Sequence, residues 1–280
     1  MPTDAETPSP AESRPTRKTA TIAQVKALGQ PAGLKQRRNE EHWAGRWYMR
    51  DVSPLFTWVF LRLGFSANQL TYLMIVAGIA AGAVAGAWPG VWGALAAAVV
   101  VQLYLLLDCS DGEVARFTRQ TSVTGVYLDR LGHYFSEVAL LVGLGFRAQH
   151  GSGSSGGFAG GWIELGLVAA LGAALIKAET DNVVVSRAKS GKPVDPAGGD
   201  SAARPRSTGL ALARQAAAML RFHRIIGAVE LSLLILAAAV IDHFAGGVTA
   251  TRVLMVAVAA VAAVQTLLHF VSIVASRRLR

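Results

Sequence analysis

The stretch Leu105-Leu106-Leu107-Asp108-Cys109-Ser110-Asp111-Gly112-Glu113-Val114-Ala115-Arg116 passes from an apolar run into a dense group of acids, with no proline to stop it. The pattern predicts one continuous helix whose apolar part lies in hydrocarbon and whose polar part emerges from it. Offsets of three, seven and eight bring Asp108, Asp111, Ala115 and Arg116 to one side of that helix. After a short polar connection, Gly125, Asp129, His133 and Glu137 share a face of the next helix, with Asp129, His133 and Glu137 each four residues after the last. Two antiparallel helices joined there point Asp108 and Asp111 at Asp129. Gly112, Ala115 and Gly125 are small enough to let backbone or ligand come close.

Three carboxylates in one small volume repel one another, so at the edge of a low-dielectric medium they need protons or cations among them. Hard oxygen ligands favour Mg²⁺ or Mn²⁺, as one ion or two. A dication held there can clamp a pyrophosphate and stabilise a departing phosphate, with Arg116 as a further positive charge. The plainer alternative is a solvated helix end salt-bridged to Arg116, Arg119 and Arg130. It leaves the small residues between the acids, and their place beside an apolar run, without an account.

Outward from this stretch, the chain is 52% hydrophobic and 16% charged over 280 residues, which excludes an ordinary water-soluble domain of this size. Apolar runs long enough to cross about 30 Å of hydrocarbon occur near residues 68–87, 90–107, 123–146, 161–185, 225–242 and 249–275. Ten Lys and Arg lie in residues 1–67, eight in 187–224 and three in 277–280, whereas the opposite connections carry only Arg147 and Arg252. The positive-inside rule then sets both termini, and the acidic cluster, on the cytoplasmic side of the cell membrane. The net charge of +9 is gathered at the termini and in one internal stretch, which suits anionic lipid headgroups and argues against nucleic acid. With Cys109 as the single cysteine, no intrachain disulfide can form.

The expected organisation is an all-α integral membrane protein of six transmembrane helices preceded by an interfacial amphipathic helix. Residues 1–40, rich in Pro, Ser, Thr and Ala, are expected as a disordered cytoplasmic tail. In residues 41–67, Trp43, Trp47, Tyr48, Phe56, Trp58 and Phe60 are interleaved with Arg46, Arg50, Asp51 and Arg62, the pattern of a helix lying in the interface. Residues 68–276 form the membrane domain and 277–280 a basic end. Residues 208–222 are expected to lie on the surface, and the Gly/Ser-rich 151–161 stretch is expected as a flexible connector.

The acidic run resembles the CDP-alcohol phosphotransferase signature, D-x-x-D-G-x-x-A-R-x8-G-x3-D-x3-D. Asp108, Asp111, Gly112, Ala115, Arg116, Gly125 and Asp129 all fall at the family spacing. The resemblance implies a homodimeric membrane enzyme that moves a phospho-alcohol, such as a phosphatidyl group, from a CDP-alcohol donor to an acceptor alcohol with release of CMP, in phospholipid or polar-lipid synthesis. It implies that Asp108, Asp111 and Asp129 ligate the metal. It also implies that Asp111, Gly112, Ala115, Arg116 and Gly125 line the donor site, joined by Asn68 and Thr71 of a weaker motif, Ser66-Ala67-Asn68-Gln69-Leu70-Thr71. As a plain helix N-cap, Asn68 would be compatible with either reading.

The departure is His133, where the family carries its fourth aspartate as metal ligand and base. An imidazole can serve as base or nitrogen ligand, with Glu137 one turn on to orient it or supply the missing carboxylate. The expectation is that His133 keeps the base role beside Asp129. Near the end of the fourth run, Lys177, Asp181 and Arg187 are candidates for docking a charged acceptor, with Lys177–Asp181 pairing or snorkelling as the structural alternative. Other classes also place acids in membranes: a prenyltransferase, which needs a second acidic motif that is not seen here, a cation transporter, and a family member that has lost catalysis through His133.

Overall fold

The computed structural model describes residues 15–31, 43–150, 161–192 and 227–275. Among these, the regular structure is helical: α1 (Ile22–Gly29), α2 (Arg50–Arg62), α3 (Ala67–Ala87), α4 (Val91–Thr118), α5 (Val123–Gln149), α6 (Trp162–Lys189), α7 (Ala228–Ala245) and α8 (Thr249–Ala275). A π-helical turn, Gly45–Met49, leads into α2.

Local chemistry sets the boundaries. Ser66 caps α3 through a capping box with Gln69, and Ser122 accepts from the Gly125 N–H at the start of α5. The α4 helix runs unbroken through the acidic stretch to Thr118 and stops where Arg119 turns left-handed at φ 55°. At the far end of the molecule, the buried Asp242 carboxylate accepts from the N–H groups of Ala250 (2.7 Å) and Thr251 (3.0 Å), closing the α7–α8 turn.

Each of the six apolar runs read from the sequence forms a helix. Among the described residues, α3, α4, α7 and α8 are long and apolar enough to cross a membrane. The α5 and α6 helices are as long, but charged residues such as Asp129, Arg130, Glu137, Lys177, Glu179 and Asp181 interrupt their apolar character. The α3 helix packs mainly on α5 and α4, and α6 bridges α5 to α8. Small residues permit this: Gly82 of α3 sits directly against Ala139 and Gly143 of α5, and Gly145 against Gly166 of α6.

One expectation is corrected. Part of the segment read as a disordered tail is folded: α1 packs on α4 and α2, with Val25 fully buried. The reason is a set of long-range bonds that local composition does not encode. Trp58 Nε1 donates to the Ala20 carbonyl (2.9 Å), and Gln30 Nε2 donates to the Arg50 carbonyl (2.6 Å) and to Glu113 (2.8 Å). The 208–222 stretch, most of the 151–161 connector and the basic end fall outside the described residues.

Candidate active site

The α4 helix rises about 24 Å from Val91 to Leu107 at 1.5 Å per residue, so Asp108 stands most of a hydrocarbon thickness along it. There it meets the first half of α5. Asp108, Asp129 and His133 each offer a ligand atom, and these atoms lie within 4.8 Å of one another. His133 Nε2 faces both carboxylates, 3.4 Å from Asp108 Oδ1 and 3.7 Å from Asp129 Oδ1.

The back of the imidazole is held by a residue that the sequence reading did not single out. Tyr104 is buried, and its hydroxyl lies 2.5 Å from His133 Nδ1. A signal for it was present: Tyr104, a phenol between Leu103 and Leu105, stands four residues before Asp108 and therefore on the same helix face.

Asp111 occupies the next turn, where its Oδ2 accepts from Thr71 Oγ1 at 2.6 Å. It falls outside the three-residue group and is tied instead to α3. Asn68 reaches the same corner: a Cβ added to Gly125 would lie 3.3 Å from Asn68 Oδ1. The residues of the two motifs, far apart in sequence, thus meet at one corner formed by α3, α4 and α5. Gly112 is crossed by the Arg116 guanidinium, whose Nη1 lies 3.0 Å from where a Cβ would stand. Arg116 is not confined to the acidic face, because its Nε donates to the Gly29 carbonyl of α1 at 2.5 Å.

Glu113, between these residues in sequence, points the other way. Fully buried, it accepts from Ser53 Oγ (2.5 Å), Thr57 Oγ1 (2.6 Å) and Gln30 Nε2 (2.8 Å), with Arg50 Nη1 at 3.7 Å. It is the anchor of α1 and α2 on α4.

The expected acceptor residues are spread along the second half of α6, and they are paired differently. Lys177 Nζ lies 3.0 Å from Glu137 Oε1 on α5, and not on Asp181. Asp181 pairs with Arg130 and accepts from Tyr134 Oη at 3.0 Å. Glu137 is therefore engaged by α6, while Tyr104 takes the place behind His133. Arg187 lies in the last turn of α6.

The donor set fits a divalent cation: two carboxylates and an imidazole, partly exposed, close enough to share one ion and of the hard and borderline types that Mg²⁺ and Mn²⁺ accept. No curated protein matches the chain. Residues 65–193 match the sequence model of the family described as CDP-alcohol phosphatidyltransferase, and that span runs from just before Asn68 to just beyond Arg187, enclosing the site. This chain carries a CDP-alcohol phosphatidyltransferase domain over residues 65–193.

Proposed function

We propose that the protein is a metal-dependent transferase that moves a phospho-alcohol group, phosphatidyl in the favoured case, from a CDP-alcohol to an acceptor hydroxyl and releases CMP. The observation that carries this reading is the convergence of Asp108, Asp129 and His133 from two helices to within 4.8 Å, beside the Asp111–Thr71 bond. In this reading all six long helices span the cell membrane, α2 lies along the cytoplasmic interface, and both termini and the site face the cytoplasm. The protein works as a homodimer.

Asp108 and Asp129 would hold the cation, with Asp111 adjoining on the donor side, and His133 beside them keeps its Nε2 lone pair for the proton. A cation bound there would offset the carboxylate charge and polarise the donor's pyrophosphate. Thr71, held by Asp111, and Asn68 position the donor, and Gly112 and Gly125 leave room for its close approach. Arg116 offers fixed positive charge to the diphosphate.

His133 takes the proton from the acceptor hydroxyl at Nε2, the atom that faces the acidic pair, while Nδ1 is bonded to Tyr104. Asp129, 3.7 Å away, favours the imidazolium that forms. The acceptor oxygen attacks the phosphorus, the bond to the CMP oxygen breaks, and CMP leaves with the electron pair. Lys177, Asp181 and Arg187, along the cytoplasmic half of α6, receive the acceptor's charged group. The Lys177–Glu137 pair holds the lysine against α5.

The test is CMP release by purified protein in detergent or liposomes with Mg²⁺ or Mn²⁺, CDP-diacylglycerol and a panel of alcohols, beside Asp108→Ala. Acceptor-dependent CMP that disappears in the variant and on chelation supports the reading. Equal release by wild type and Asp108→Ala overturns the site.

A further inference from the structure

Residues 15–31 touch three places that border the donor side of the site. Arg17 Nη1 donates to the carbonyls of Gly64 (3.3 Å) and Phe65 (3.2 Å), in the turn just before Asn68. Its Nη2 donates to Gln120 Oε1 (3.3 Å), in the turn that leads into α5 and Gly125. At the other end of the segment, the Gly29 carbonyl accepts from Arg116 Nε at 2.5 Å.

That carbonyl is itself fixed. Gly29 packs so closely on α4 that a Cβ there would stand 3.1 Å from Glu113 Cβ. The next residue, Gln30, bonds through Nε2 to Glu113 Oε1 (2.8 Å) and to the Arg50 carbonyl (2.6 Å), and Glu113 is locked by Ser53 and Thr57. Rotation of the Arg116 guanidinium about its long stem is therefore limited by a backbone oxygen held from both sides. A guanidinium anchored through Nε presents its two Nη groups as the fork that grips a phosphate, and here the fork lies across Gly112.

We propose that the 15–31 segment is a built-in part of the donor site, in which the Gly29 carbonyl, held by the Gln30–Glu113 bond, aims Arg116 at the diphosphate of the donor. The proposal rests on the donor-site reading given above. Gln30 is then a positioning residue: it touches neither substrate nor metal, and acts by removing the orientational freedom that Arg116 would otherwise lose on binding.

The experiment measures CDP binding to the full-length protein in detergent with Mg²⁺ by calorimetry, together with donor KM, acceptor KM and kcat, for wild type and Gln30→Ala. Loss of the clamp weakens CDP binding about tenfold, the weight of one oriented hydrogen bond. Donor KM rises with it, while kcat and acceptor KM stay within about twofold. Gln30→Glu, which sets a carboxylate against Glu113, gives a loss at least as large.

Unchanged CDP affinity, or a fall in kcat with donor affinity intact, overturns the proposal and leaves Gln30 a structural residue. Tighter CDP binding in Gln30→Ala also overturns it, because the segment would then be withholding Arg116. Failure of wild type to bind CDP overturns the donor-site reading itself, and this proposal with it. That outcome is distinct from any confined to the variants.

Discussion

Replacing Tyr104 by Phe removes one oxygen from the wall behind His133 and leaves the ring that fills the space. Tyr104 is 1% exposed, and its hydroxyl lies 2.5 Å from His133 Nδ1. Without it, Nδ1 faces an apolar ring with no water route from that side, a loss of about 1–3 kcal/mol for a buried hydrogen-bonding group. The imidazole then samples other rotations, and Nε2 spends less time between Asp108 and Asp129. If about 1.5 kcal/mol of the loss falls on the transition state, kcat drops about tenfold. The assay is steady-state CMP release at saturating donor and acceptor, run for Tyr104→Phe, His133→Ala and the double variant. A residue that acts through His133 has no further effect once His133 is gone. Turnover of Tyr104→Phe within about twofold of wild type, or an equal additional loss in the His133→Ala background, refutes the reasoning.

Two predictions concern the frame that holds the site. Glu113→Ala leaves Arg50 beside an emptied, buried pocket and strips the partners of Ser53, Thr57 and Gln30, so thermal unfolding in detergent should reveal a loss of about 3–5 kcal/mol; a shift close to zero would show that α1 and α2 are held by other means. Gly82→Val places a branched side chain where even a Cβ would overlap the Ala139 backbone, so α3 and α5 must separate. Size-exclusion chromatography should show aggregated or unfolded protein, and a monodisperse, active variant would contradict the close approach of these helices.

The sequence by itself determined the helical class and the path of the six apolar runs, because each is long, and hydrocarbon length and helix rise leave little choice. It also fixed which acids could meet. Asp108 and Asp111 share one helix, Asp129 and His133 another, and a connection of a few residues forces the two to run antiparallel, so local periodicity nearly dictates their approach. Tyr104 was legible by the same i, i+4 rule, as a phenol set between leucines one turn before Asp108.

Tertiary structure alone decided the rest, because it depends on contacts between residues far apart in the chain. That Glu113 faces away from the acidic group and anchors α1 and α2 follows from Ser53, Thr57 and Gln30, which lie 60, 56 and 83 residues away. That part of a Pro- and Ser-rich leader is folded follows from Arg116 and Trp58 reaching back to its carbonyls, a favourable use of buried donors that composition cannot register. The pairing of Lys177 with Glu137 and not with Asp181 was decided likewise, because both acids lie within reach of a lysine and only the packing of α6 on α5 chooses between them.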